Sequence, residues 1–262
     1  MIGAFVQGVF ELAKKPVYLL PALIISLAAF LVIILSAESY MAFFYSAIML
    51  GQVPDAGILE LPFYIISSYG QEIAIICASM LISLTLTLFQ LYIYALSMAR
   101  KEGMVQAIRD GAAKLPEIFG LVVFAALASF IYGVLGYALF AASITFDVIG
   151  IALFLLLIAW GLFGAYAFVK LIFVPVFMAL EGKKLKAALS ESWKWSSQRV
   201  FSIAIFLFML SLISGAIGAF FTIVADFTDN ELLLIGLVVL EVGISNAYYN
   251  IVFIKYFMQE RK

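Results

Sequence analysis

Two ionisable residues stand inside long apolar runs. Glu241 lies ten residues after Glu231, and Lys170 lies eleven residues before Glu181. At ~1.5 Å per helical residue each is ~15 Å from that end, the middle of a ~30 Å hydrocarbon core. A charge at that depth costs roughly 2.5–3.5 kcal/mol on insertion scales, so it needs a reason. One reason is a proton- or ion-handling site. The other is structural: a buried ion pair, or a neutral Glu241 bonded to a neighbour while Lys170 snorkels. Their comparable depth allows a Lys170–Glu241 contact. Asn246 and Asn250 are one turn apart, on a face roughly opposite Glu241. Polar groups on both faces indicate a helix surrounded by protein, and asparagine commonly pins membrane helices together. Glu72, Ser79, Ser83, Thr87, Gln90, Tyr94 and Ser97 recur at spacings of three, four or seven and form one stripe. That stripe lines either a wet cavity or a helix contact. Pro175, five residues past Lys170, is expected to kink its helix and put a hinge beside a charge.

The elements that carry these groups follow from composition. Of 262 residues, 66% are apolar and 12% charged, against roughly 45–50% and ~25% in soluble domains. Mean hydropathy is +1.17. A soluble domain must cover its surface with polar side chains, so a soluble enzyme or a disordered chain is not expected. Six stretches reach span length, at about 17–36, 72–99, 118–146, 148–180, 200–225 and 232–257. They are continuous rather than alternating, which excludes a β-barrel. The expected fold is an all-α polytopic bundle with six transmembrane helices, a single integral membrane domain over 1–262. The run after Lys14 and Lys15 is span-length and lacks a good cleavage site, so it reads as a span and not as a removable signal.

All but one of the 15 basic residues fall on one side of this layout. The opposite loops carry Glu38, Asp55, Glu60, Asp147, Asp226, Asp229 and Glu231 without a lysine or arginine. The positive-inside rule then places both termini in the cytoplasm of a cell-membrane protein. Net charge is −1, which gives no footprint for nucleic acid. Cys77 is the one cysteine and histidine is absent, so no disulfide, zinc site or histidine base is available. No phosphate-binding loop, dinucleotide fingerprint or nucleophile elbow occurs. Neither enzymatic activity nor a cofactor or metal ion is expected. The acids Asp226, Asp229 and Glu231 either cap a helix or attract a divalent cation, and capping is the simpler account.

Three amphipathic segments precede spans one, three and five. They hold Ala4, Phe5, Gly8, Val9 and Leu12; Ala107, Ile108, Gly111, Ala112 and Leu115; and Ala188, Leu189, Ser192, Trp193 and Ser196. The offsets are 103 and 81 residues. Each set follows one helical face. The unit would be an amphipathic helix plus a two-span hairpin, used three times in one orientation, unlike inverted transporter repeats. In the third segment Trp193 and Trp195 read as interfacial anchors, with Lys183, Lys184 and Lys186 toward anionic lipid. A solvated connector is the other reading. Small residues at Ser211, Gly215, Gly218 and Thr222, at Ser129, Gly133 and Gly136, and at Gly161 and Gly164 let helices approach closely. Between spans one and two, stretches 42–50 and 58–68 are apolar but too short to cross, and suit an interfacial cap or a re-entrant hairpin.

Lys14-Lys15-Pro16, Glu181-Gly182 and Ala187-Ala188-Leu189-x-x-Ser192-Trp193-Lys194 resemble a six-span membrane-domain family. Its members stand alone or are fused to glycerophosphoryl diester phosphodiesterase domains. No such catalytic domain is among these residues, so that activity does not carry over. The resemblance implies the six-span layout and a role near membrane lipids. The functional expectation is a non-enzymatic protein that binds or moves a lipid or another amphipathic small molecule. The alternatives are a scaffold or accessory subunit for another membrane protein, and a proton-coupled transporter using Glu241; the expected partners are membrane lipids, and another membrane protein or a second copy of this chain.

Overall fold

The computed structural model describes residues 2–49, 60–100, 103–145 and 147–261. Among the described residues eleven helices follow one another: α1 (Ile2–Lys14), α2 (Leu19–Leu35), α3 (Ala37–Met49), α4 (Leu61–Arg100), α5 (Met104–Ala113), α6 (Leu115–Thr145), α7 (Asp147–Leu171), α8 (Val174–Glu181), α9 (Leu185–Ser196), α10 (Val200–Ala225) and α11 (Glu231–Glu260). A 3-10 turn, Pro16–Tyr18, joins α1 to α2. No strand occurs among the described residues. Among the described residues six helical segments are long and apolar enough to cross a bilayer: Pro16–Leu35, Phe63–Ala99, Leu115–Thr145, Ile149–Glu181, Val200–Ala225 and Glu231–Glu260. Large apolar side chains such as Phe130, Ile131, Leu155, Leu162 and Phe208 are exposed along them, a surface that only lipid or another protein can cover. The chain is an all-α, multi-pass integral membrane protein.

The second crossing segment starts earlier than the hydropathy run at 72. α4 begins at Leu61 and bends at Tyr69 (φ −131°, ψ 25°). In the stretch expected to form a cap or a re-entrant hairpin, residues 37–49 form helix α3, and residues 50–59 lie outside the described ones. Before Pro175 the helix breaks. α7 stops at Leu171, Ile172 and Phe173 form a turn, and α8 restarts with Pro175 in its first turn. Proline has no N–H to give and its ring crowds the carbonyl of residue i−4, here Leu171. At the turn between α10 and α11 it is Asn230 that caps. Its side chain accepts from the Leu232 and Leu233 N–H groups at 3.0 and 3.2 Å, as a helix N-terminus requires.

The chain forms two compact units. The smaller comprises Leu31–Leu84 and Gly120–Ala167. Within it Tyr132 of α6 stacks on Trp160 of α7 at 4.5 Å between ring centroids. The Tyr132 hydroxyl donates to the Trp160 carbonyl, and Trp160 Nε1 donates to the Tyr132 carbonyl at 3.3 Å. The small-residue positions make room for this pair: a methyl group at Gly136 would meet the Trp160 ring at 3.5 Å, and one at Gly164 would meet the Tyr132 hydroxyl.

The larger unit comprises Met1–Phe30, Thr85–Phe119 and Phe168–Lys262. It holds all three amphipathic helices, and they dock alike. The side chains buried in α1 are Ala4 and Gly8, those in α5 are Ala107 and Gly111, and α9 buries Ala188 and Ser192 at the same offsets, together with Ser196. Gly8 lies against Tyr248 and Val252 of α11, and Gly111 against Phe89 and Ile93 of α4. Ser192 donates to the Lys170 carbonyl at 2.7 Å, on the segment leading into α8. Lys170 follows Phe89 by the same 81 residues that separate Ser192 from Gly111. Each amphipathic helix therefore presents a small-residue step to the second long helix of the preceding repeat. The first repeat closes the series on the last. A close backbone approach is what Ala, Gly and Ser at i, i+4 permit.

α9 folds back along α8. Gly182 makes the turn in the left-handed region (φ 63°), where a side chain is strained. At the far end Lys170 is 1% exposed. Its ammonium donates to the Trp193 carbonyl at 3.1 Å and to Ser197 Oγ, and it lies 4.8 Å from the Trp193 ring centroid. A cation on the last carbonyls of a helix complements both the unpaired acceptors and the negative end of the dipole. Lys170→Met is expected to untie this end. Amide hydrogen exchange at residues 193–197 should quicken by roughly tenfold or more, since hydrogen bonds to a charged group contribute about 1.5–3 kcal/mol. Unchanged exchange would show that Ser192 holds α9 alone.

Candidate functional site

A cleft lies in the larger unit at the end that carries the basic residues. It encloses about 490 Å³. α1 contributes Glu11, and the junction into the first crossing helix contributes Lys15, Val17 and Tyr18. α4 supplies Ser97 and Met98, the start of α5 supplies Gly103 and Met104, and α11 supplies Lys255. Glu11 Oε1 accepts from Lys15 Nζ at 3.0 Å, and its Oε2 from Lys255 Nζ at 3.4 Å. One carboxylate thus holds two ammonium groups from opposite ends of the chain. The α1 helix brings Glu11 and Lys15 together because residues i and i+4 share a face.

A hydrogen-bonded track runs from the cleft along α4. The Tyr18 and Ser97 hydroxyls meet at 3.4 Å. The Tyr94 hydroxyl donates to the Tyr18 carbonyl, and Gln90 Nε2 donates to the Tyr94 oxygen at 3.5 Å. Gln90 is fully buried, and its Oε1 has no partner among the described residues. The inner half of the α4 polar stripe is thus a helix contact that borders a cleft at Ser97. Further along, Ser79 is buried and meets the Tyr40 hydroxyl at 3.1 Å. Ser83 is half-buried and Thr87 exposed.

The threefold repeat supplies two further clefts for comparison. The second lies between α4, α5 and α8 and encloses about 240 Å³, lined by Tyr92, Leu96, Asp110, Lys114, Met178 and Ala179 among others. By the repeat offsets its Lys114 stands where Glu11 stands in the first, and its Leu96 where Lys255 stands. In the third repeat those places belong to Trp195 and Phe177. There the space is filled. The Trp195 ring packs 4.9 Å from Phe173, 6.3 Å from Phe177 and 5.1 Å from Phe257, centroid to centroid. Arg199 covers its face at 5.0 Å. Even the hydroxyl pair has a counterpart with the residue types exchanged: Ser202 meets the Tyr256 hydroxyl at 3.1 Å, where Tyr18 meets Ser97. Of three related clefts, one is plugged, one is small, and one is open and lined by paired lysines.

The chain matches no protein-family model, no curated protein and no solved structure.

The structure places the other sequence candidates as follows. Lys170 and Glu241 do not meet. Lys170 is spent on α9, while Glu241 is half-buried beside α10, where a methyl group at Gly218 would stand 2.9 Å from its Oε1. Asn250 is buried and Asn246 half-buried in α11. Trp195 is inside the plugged cleft, while Trp193 is exposed on the other side of α9. Lys183 bridges Glu181 at 2.8 Å and Glu191 at 3.1 Å, and Lys184 and Lys186 are exposed. The sequence reading missed Glu11 and Lys255 as partners. Glu11-x-x-x-Lys15 is a visible i, i+4 pair, but nothing local ties it to a residue 244 positions away.

Glu11 titrates below the usual 4.5, first because of its hydrogen bond to Lys15, with burial opposing and Lys255 adding to the effect. Lys15 titrates above the usual 10.5, first because of Glu11. A lowered carboxylate contributes stability that is present above its unfolded value and lost as pH falls through the folded one. A raised lysine contributes stability that is lost as pH rises through its folded value. The triad is therefore expected to hold α1 evenly from about pH 5 to pH 10 and to loosen beyond both limits. The contribution is at most about 1 kcal/mol, because these groups are solvated. The difference in melting temperature between wild type and Glu11→Gln, followed from pH 3 to 7, should shrink toward acid. A difference independent of pH would dismiss the ion pair.

Proposed function

We propose that this integral membrane protein crosses the bilayer six times with both ends in the cytoplasm, and that it binds an amphipathic small molecule of the lipid class without catalysing a reaction. The observation that carries the reading is the open cleft. Glu11, Lys15, Lys255, Tyr18 and Ser97 line its polar side, and Val17, Met98 and Met104 its apolar side. It sits where the first apolar span begins, so one molecule can place a head among the charges and a chain along the helices. A mostly apolar concavity with a few convergent polar groups is the usual form of a small-molecule site. The resemblance of the lysine-proline and serine-tryptophan motifs to a six-span family that includes glycerophosphoryl diester phosphodiesterase fusions supports a place near membrane lipids.

The test copies the third repeat into the first. Glu11→Trp would fill the cleft as Trp195 fills its counterpart. Native mass spectrometry of wild type in mild detergent should show a retained amphiphile. The variant should lose it while keeping its melting temperature within a few degrees. Equal retention in both proteins would place the amphiphile elsewhere and remove the reading.

A further inference from the structure

The chemistry of the open cleft narrows the kind of head it takes, given that it holds an amphiphile at all. Its polar lining is rich in donors and poor in acceptors. Lys15 and Lys255 bring two ammonium groups, Tyr18 and Ser97 bring hydroxyls, and Glu11 is the one carboxylate among its described residues. Glu11 neutralises a single positive charge, so the described lining residues keep a net charge of about +1. Backbone donors add to this. Gly103 is the N-cap of the ten-residue helix α5 and brings no side-chain cap. The first intrahelical bond runs from the Ala107 N–H to the Gly103 carbonyl at 3.1 Å. The N–H groups of the preceding turn are therefore unpaired within the helix, at its positive end. Gly103 and Met104 lie on the cleft wall, and Gly103 has open space where a side chain would stand. The related clefts lack this combination: Leu96 and Phe177 stand in the place of Lys255.

We propose that the cleft binds a phosphate-bearing anionic head through Lys15, Lys255 and the amino end of α5, with Glu11 as a resident counter-charge that the phosphate displaces. A phosphate diester presents acceptor oxygens only, so it matches a wall of donors. Ammonium groups serve it as point charges. At 3.0 and 3.4 Å Glu11 occupies the positions that phosphate oxygens would take. The wall of Val17, Met98 and Met104 favours a lipid ester over free phosphate.

The experiment uses the full-length chain stripped of lipid in an uncharged detergent. Binding is read by native mass spectrometry with three probes: phosphatidylglycerol, diacylglycerol with the same acyl chains, and inorganic phosphate. Phosphatidylglycerol should bind about tenfold more tightly than diacylglycerol, and inorganic phosphate should compete poorly. Lys255→Met should weaken phosphatidylglycerol on the order of tenfold and leave diacylglycerol unchanged. Glu11→Gln should strengthen phosphatidylglycerol several-fold, because the competing carboxylate is gone. Arg109→Gln, an exposed charge on α5 away from the cleft lining, should change nothing. Lys255→Met and Glu11→Gln remove the same ion pair yet are expected to act in opposite directions, so simple unfolding cannot imitate both. Equal binding of the two lipids would overturn the anionic head and leave the amphiphile reading in place. Phosphate competing as well as the lipid would keep the lysine site and overturn the amphiphile. Weaker phosphatidylglycerol binding by Glu11→Gln would overturn the displaced counter-charge.

Discussion

Phe173→Ala is expected to destabilise the protein by about 3–5 kcal/mol, the usual cost of emptying a buried aromatic site. Phe173 is fully buried at the break between α7 and α8. Its ring stacks on Phe253 at 4.4 Å and 4°, and lies 4.9 Å from Trp195, 5.7 Å from Phe257 and 6.1 Å from Tyr256. It thus joins α9 to α11 inside the plugged cleft. Phe206 extends the cluster by stacking on Tyr256 at 4.0 Å and meeting Phe5 at 5.4 Å. Aromatic pairs of this kind contribute about 0.5–1.5 kcal/mol each beyond the area they bury. The loss should appear as a fall in melting temperature on the order of 10 °C in detergent. Phe173→Leu, which keeps most of the volume, should lose less than half as much. A fall under about 2 °C for the alanine variant would show that the neighbouring rings close the gap.

Gly8→Leu should act from the other side of the unit, by overpacking. A methyl group at Gly8 would collide with Val252 Cγ2 and stand 3.3 Å from the Tyr248 ring. Neither neighbour can give way easily. Val252 is fully buried, and a valine in a helix has one strongly preferred rotamer. Tyr248 is also buried, with its hydroxyl 3.5 Å from the Phe5 carbonyl on α1 itself. Forcing a side chain into such a site costs roughly 1–3 kcal/mol, and here the strain falls on the contact that closes the repeats. Proteolysis of α1 should accelerate at least tenfold in the variant. Gly133→Leu is the comparison. Nothing lies within 4 Å of the site a Cβ would occupy at Gly133, so that substitution should be close to neutral. Equal sensitivity of the two would mean that Gly8 matters for helix propensity and not for close approach.

The fate of Trp195 shows where local reading ends. A tryptophan among lysines on a short amphipathic helix has the pattern of a bilayer anchor. The pattern states only that an apolar ring needs covering. Lipid and protein cover it equally well, and the choice depends on whether α8 and α11 leave a gap of the right size beside it. Trp193, two residues earlier, has the same composition around it and is exposed. Lys170 and Glu241 give the same lesson for charge. Their depth is a matter of counting residues at a fixed rise. Their azimuth follows from which helix packs where, and that turned Lys170 toward α9 and Glu241 toward Gly218.

The sequence alone determined the helical class, the apolar spans, the break at Pro175 and the three amphipathic segments. All of these rest on interactions within about one or two helical turns, or on the mean polarity of a run, and so they are written in the local order of side chains. The tertiary structure decided which helix each step meets, that the first repeat closes on the last, and which of three related clefts stays open. Those outcomes depend on side-chain volumes brought together from residues up to 244 positions apart, such as Glu11 and Lys255. No local periodicity encodes a pairing over that distance. Packing sets it, because each cleft is either filled by the ring that reaches it or left open.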